Sequence, residues 1–303
     1  MTSLIARCSL LIMLASPATT FAQDTNHLDR VQQLGLESLS GRVPTYYSAG
    51  ARERATALQK MVDEALIYFS DRIRIAPDLA LAVLNEVDWA QVRPIPYGVP
   101  WVSYAPYVAV LPADLEHSVI VRGFSNTRDR ASTATRRALE DVGVSFEQVP
   151  YRLNDLIGYH EVGHVVIEAR GLTQSQRWFD EMLATFAAYA FMRERHPEVA
   201  RSWDALMRFN VETSRPEFRS LDEFERRYDG MPQETYGWFQ GMFHARLAEL
   251  YEERGLEFLN DLRAAGLITG VKYEMATELI SHLEEVVPGF QRWAALLEGR
   301  NGG

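Results

Sequence analysis

Between residues 51 and 74 the apolar side chains Ala55, Leu58, Met61, Val62, Ala65, Leu66 and Phe69 recur at spacings of three and four, which turns one face of a long helix toward a core. A shorter run of the same kind, Leu28, Val31, Leu34, Leu36 and Leu39, predicts a helix leading into the fold. The pattern then changes. Residues 79–85 (LALAVLN) and 107–111 (YVAVL) are short β-favouring runs that end in turn formers, and both predict strands. Val119 to Val121 reads as a third. Between the first two, residues 92–106 hold four of the thirteen prolines together with Gly98, a rigid loop that cannot be helical. Residues 127–135 are polar and are expected to be exposed.

From about residue 149 one helical period follows another: 153–170, 180–195, 198–209, 221–227, 234–253, 256–265, 272–287 and a last one ending at Leu297. Gly171, Gly255 and Gly266 follow helical runs, where a left-handed residue ends a helix. No Gly/Ser-rich linker and no internal repeat divides the chain. The expected architecture is α+β: a mixed part with a small sheet over residues 23–149, then a mostly helical part over 150–303, together one working unit.

Residues 1–22 differ in kind. Arg7, the apolar run from Leu10 to Ala15, Pro17 as a breaker and small residues at Thr20 and Ala22 read as a secretory signal cleaved after Ala22. The apolar run is far shorter than the ~20 residues needed to span a bilayer. A secreted or periplasmic protein is therefore expected, and removal of 22 from 303 residues leaves 281. The lone cysteine, Cys8, leaves with the signal, so the mature chain relies on its core and not on disulfides. Because residues 1–22 hold one Arg and no acid, the net charge moves from −10 to −11. That balance disfavours nucleic acid and anionic lipid as partners, and no membrane span is expected.

Within the first helix of the second half stands His160-Glu161-Val162-Gly163-His164. Histidines at i and i+4 project from one helical face, so both imidazoles can converge on one ion while Glu161 reaches the water bound to it. A catalytic zinc site wants a third protein ligand and one open position. The continuation His-x-x-Gly-x-x-His is absent, since Arg170 and Gly171 stand where it would run. The chain turns instead and starts a helix at Trp178-Phe179-Asp180-Glu181-Met182-Leu183-Ala184-Thr185. Glu181, near the start of that returning helix, is the natural third ligand. Two neutral imidazoles and one carboxylate would leave a Zn²⁺ site at +1, enough to bring a bound water toward a pKa of about 7. Thr185 and Asp180 are candidates for the groups that orient the histidines.

The pair HEVGH and WFDEMLATFAAY resembles the gluzincin metallopeptidases, above all the branch of aminopeptidase N and leukotriene A4 hydrolase relatives, whose second helix reads Trp-x-Asn-Glu-x-x-Ala. The resemblance spans the 27 residues from Tyr159 to Thr185, with Asp180 where those relatives often carry Asn. It implies a zincin-like fold, one zinc per chain held by His160, His164 and Glu181, Glu161 as general base, and hydrolysis of peptide bonds in a peptide or protein substrate. It further implies a tyrosine at the start of a later helix that stabilises the oxyanion. Tyr236 fits that order, with His244 and Tyr228 as substitutes. It also makes residues 107–111 the candidate edge strand above the cleft. The alternative is a zinc-holding protein of this type that binds a peptide or protein without turnover, and Glu161 separates the two, since a purely structural zinc site has no use for a general base.

Other features are plainer. His117 and His282 lack metal-ligand spacing and read as surface or capping residues. Tyr46, Tyr47 and the aromatics of residues 97–101 are open to two readings, cleft lining or loop packing. Arg136, Arg137, Arg226 and Arg227 read as solvated or paired to the abundant acids.

Overall fold

Six consecutive apolar residues, Leu79 to Leu84, are all buried, which requires a strand at the centre of a sheet covered on both faces. The computed structural model describes residues 26–124 and 130–299. Its sheet has the order β1-β2-β3-β5-β4, with β1 Glu37–Leu39, β2 Thr45–Tyr47, β3 Leu79–Leu84, β4 Trp101–Ser103 and β5 Tyr107–Pro112. Strand β3 runs parallel to β2 and β5, while β1 and β4 close the two edges antiparallel.

Alternation divides the buried strands between two layers. Ala80, Ala82, Leu84, Val108 and Val110 meet Val31 of α1 (His27–Gln33) and Trp89 of α3 (Glu86–Val92). Leu81, Val83, Ala109 and Leu111 join the main core with α2 (Arg52–Ile73). That core runs on through the helices α6 (Val149–Ala169), α7 (Arg177–Arg195), α8 (Pro197–Thr213), α9 (Leu221–Arg227) and α10 (Gln233–Arg254). It ends in α11 (Glu257–Ala264), α12 (Ala276–Val286) and α13 (Phe290–Leu297), and so crosses residue 149 without a break. The architecture is α+β, a small mixed sheet followed by a mostly helical part.

Several expectations need correction. Val119 to Val121 belongs to the helix α4 (Val119–Phe124) and not to a strand. Ser118 starts it, its carbonyl accepting from Arg122 N at 3.0 Å and its hydroxyl from Ile120 N at 3.2 Å, and this local capping overrides the β-branched propensity. Residues 107–111 form β5, which lies inside the sheet and is no edge strand. The edge is β4, concealed in the proline-rich stretch whose prolines fall outside its three residues, as edge strands allow. Helix α3 and the first two strands were not visible in the pattern, being three to seven residues long. Helix α5 (Thr133–Asp141) overlaps the stretch expected to be polar and exposed, yet buries Thr135 and Leu139. The helix expected from 272 begins only at Ala276, whereas α6 and α7 begin earlier than their periodicity showed. Gly171, Gly255 and Gly266 all take positive φ after their helices.

Two contacts place the site's surroundings. Asn154, buried on α6, donates to the Gly98 carbonyl at 2.8 Å and to Ser118 Oγ at 3.0 Å, which pins the proline-rich loop, and with it β4, to the helix carrying the histidines. Gly163 lets α6 and α7 meet, because a Cβ there would lie 2.2 Å from the Ala184 carbonyl oxygen. The signal reading of residues 1–22 lies outside the described residues. Among those described, no helix is long and apolar enough to cross a membrane.

Candidate metal centre

Helix α7 is fixed at its start before it presents any chemistry. Trp178 is wholly buried against Phe179, Phe243 and Trp293, and its backbone N–H donates to Glu225 Oε1 on α9 at 2.8 Å. Asp180 Oδ1 accepts from the Gln174 backbone N–H at 2.6 Å, closing the turn between α6 and α7. In the run Trp-Phe-Asp-Glu the tryptophan thus anchors, the aspartate holds the turn, and the glutamate is left to face α6.

Glu181 Oε2 lies 3.2 Å from His160 Nε2 and 3.8 Å from His164 Nε2. The three residues, His160 and Glu181 buried and His164 half-buried, form a group whose ligand atoms all fall within 4.8 Å of one another. Donors on a tetrahedral zinc at 2.0–2.1 Å would stand about 3.3 Å apart, so the observed spacing fits an ion of that size. The donor set suits it too. His160 turns Nδ1 to Thr185 Oγ1 at 2.9 Å and keeps Nε2 toward Glu181, the two-sided arrangement typical of a ligating imidazole.

A hydrogen-bonded shell closes around the carboxylate. Tyr228 donates its hydroxyl to Glu181 Oε1 at 2.5 Å, Tyr236 donates to Oε2 at 2.7 Å, and Gln240 Nε2 donates to Oε2 at 3.0 Å. Thr185 Oγ1 links back to Gln240 Oε1 at 3.3 Å. Glu161 lies buried beside the cluster, 6 % exposed.

Electrostatics follow from burial and mutual charge. Desolvation pushes the Glu161 carboxyl up, joined by the charge of Glu181 and opposed by His160 and Arg93, to about 7. Desolvation, with the charge of His160, pulls His164 down to about 4, which keeps its imidazole neutral. His160 and Glu181 act as a pair: burial works against both charges, yet their mutual hydrogen bond wins, raising His160 and holding Glu181 well below the usual carboxylate range. Burial and the Glu181 charge push both Tyr228 and Tyr236 well above the ordinary phenol value, so both hydroxyls stay protonated donors.

The residues singled out from the sequence separate clearly. His160, Glu161, His164, Glu181, Tyr236 and Tyr228 come together. His244 does not: its Nε2 meets Asp204 Oδ1 at 2.8 Å and its ring packs on Tyr189 and Trp203, which removes it as a substitute for Tyr236. Thr185 orients His160, whereas Asp180 serves the turn. Gln240 was missed, although it stands one turn after Tyr236 on the same helical face. His117 pairs with Asp114 at the surface. His282 holds the end of α11 through the Ala265 carbonyl at 3.1 Å. Tyr47 and Tyr97 donate their hydroxyls to Glu37 and the Leu84 carbonyl and Tyr46 accepts from Gln32 Nε2, so they pack the sheet. Compared with family models, curated proteins and solved structures, the chain matches none.

Proposed function

We propose that the protein is a zinc-dependent peptidase of the gluzincin type, with His160, His164 and Glu181 holding the ion and Glu161 acting as general base. The observation that carries this reading is the position of Glu161: a buried carboxylate, one residue from His160, beside a His-His-Glu group spaced for one ion. A zinc ion held there would act as a Lewis acid, polarising a peptide carbonyl and acidifying a water. The remaining work falls to side chains. Glu161, buried and one residue from His160, would take a proton from the attacking water and pass it to the departing amine. Tyr236 and Tyr228 give their hydroxyl protons to Glu181, so they orient the carboxylate that would hold the ion and present no free donor to an oxyanion in this structure. Strand β4, an edge strand against which α6 packs, offers its unpaired side to an extended peptide backbone.

Metal analysis of the purified protein should find about one zinc per chain, lost on His160→Ala or His164→Ala. A mixed peptide library should be cut by the wild type and spared by Glu161→Gln with zinc retained. Folded protein without zinc would end the reading. Zinc-loaded protein as inert as its Glu161→Gln variant would leave a peptide-binding protein in its place.

A further inference from the structure

Hydrolysis of a peptide bond leaves a negative charge on the carbonyl oxygen, and a donor held in place for that oxygen contributes much of the rate. The two tyrosines bonded to Glu181 have no hydroxyl proton to spare for it. A third tyrosine differs. Tyr104 opens the short turn between the edge strand β4 and β5, directly after Ser103. Strand β4 packs on α6, the helix of His160 and His164, and Arg93, stacked 5.2 Å over Trp101 of that strand, lies near enough to Glu161 for its charge to act. The Tyr104 ring stands edge-on to Tyr107 at 6.1 Å, and its hydroxyl makes no hydrogen bond among the described residues.

The surroundings of that hydroxyl show what it faces. Tyr104 is 40 % exposed, yet desolvation holds its hydroxyl well above the ordinary phenol value, joined by the charges of Glu161, Asp180, Glu181 and Glu168. A side chain open to solvent and still surrounded by protein stands on the wall of a cleft. All four carboxylates belong to α6 and α7, so the cleft is the one between β4 and the two helices of the His-His-Glu group. A phenol so placed stays protonated at neutral pH and remains a donor.

We propose that Tyr104 is a catalytic residue whose hydroxyl donates to the substrate carbonyl oxygen from the β4 side of the cleft. The proposal rests on the peptidase reading and adds a residue to it. As water adds to the carbonyl carbon, one water proton passes to Glu161 and the carbonyl π pair moves onto the oxygen, where the Tyr104 hydroxyl donates a hydrogen bond and keeps its own proton. When the C–N bond breaks, that pair re-forms the carbonyl and the amine departs with the proton held by Glu161. The hydrogen bond is strongest while the oxygen is charged, so it acts on kcat more than on KM.

The test compares zinc-loaded wild type with Tyr104→Phe, which keeps the ring against Tyr107. Cleavage of a peptide gives kcat and KM. Calorimetry gives the affinity for a phosphinic peptide, whose tetrahedral oxygens mimic the charged intermediate, and for the matched amide peptide in the Glu161→Gln background. Tyr104→Phe should lower kcat about a hundredfold with KM within about threefold, and weaken the phosphinic peptide at least tenfold while the amide peptide stays within about threefold. Zinc stoichiometry and melting temperature should match the wild type. Unchanged kcat and phosphinic affinity would overturn the assignment, while cleavage itself upholds the peptidase. An equal loss for the phosphinic and amide peptides would make Tyr104 a packing surface and overturn its role as donor. If no peptide were cut, the peptidase reading would fail on its own; a phosphinic-over-amide preference lost in Tyr104→Phe would still uphold the donor, and its absence would overturn it.

Discussion

Two of the helix crossings made at glycine among the described residues serve different ends. Where α6 meets α7, a Cβ on Gly163 would lie 2.2 Å from the Ala184 carbonyl oxygen and 2.9 Å from its carbon, so backbone faces backbone. Where α10 meets α8, a Cβ on Gly241 would lie 2.5 Å from Val211 Cγ2 and 2.7 Å from the Met207 carbonyl oxygen, so part of the clash falls on a side chain. At the first crossing both helices bear donors of the His-His-Glu group, and their separation is the separation of the donors. At the second only α10 reaches the group, through Tyr236 and Gln240, and α8 serves as a backing. Close approach is the same physical device in both places. Its consequence depends on what the neighbouring residues carry.

The largest effect should come from breaking the first crossing. Gly163→Ala must displace one helix from the other, since a carbonyl cannot yield as a side chain does; a loss of about 3 kcal/mol or more is expected with the zinc stoichiometry falling toward zero. Metal analysis alongside a thermal melt checks this, and a variant that kept full zinc would detach the crossing from the site. Gly241→Ala should cost about 1–3 kcal/mol, read as a lower midpoint in denaturant, with zinc still bound near one per chain. Zinc loss equal to that of Gly163→Ala would erase the distinction between the two crossings. Thr185→Val tests the hydrogen bonds that join them, because this hydroxyl meets His160 from α6 and Gln240 from α10. A weakening of zinc binding by about tenfold is expected, with the melt little changed, measured by competition with a chelator.

The smallest effect lies away from both crossings. Glu284 accepts backbone N–H groups of Gly289 and Gln291 at the start of α13, at 3.0 and 2.8 Å, which together with that of Phe290 outweighs desolvation and lowers its carboxyl below 4.5. A lowered folded pKa contributes stability above the unfolded value and loses it as pH falls through the folded one. Glu284→Gln should therefore cost under about 1 kcal/mol at pH 7, and the gap in melting temperature from the wild type should close as pH falls through the lowered folded value. A gap that widened in acid would reverse the assigned sign.

Much of this was legible because it is written in local spacing. His160 and His164 at i and i+4 share a face in any α-helix, and the short return to Glu181 leaves little choice of partner. Long helices announced themselves by period, as α2 and α10 show. What stayed hidden depends on tertiary placement. The three residues of β4 are too few to display alternation, so the edge strand was assigned to the longer and more apolar β5, which needs the sheet's centre for that very reason. Tyr236 could be placed by order, but the meeting of its hydroxyl with Glu181, and the parallel contact from Tyr228, come from how α9 and α10 stack through Phe224.

The donor atoms of the His160–His164–Glu181 group all belong to two adjacent helices joined by a seven-residue turn, while β4, Tyr228 and Tyr236 belong to other segments packed around that pair. Inheritance can treat these as separate assets. The walls can be altered one segment at a time while the helical pair is left in place. A designer enjoys the same freedom: grafting new walls around an undisturbed α6–α7 hairpin is the economical route to a changed appetite.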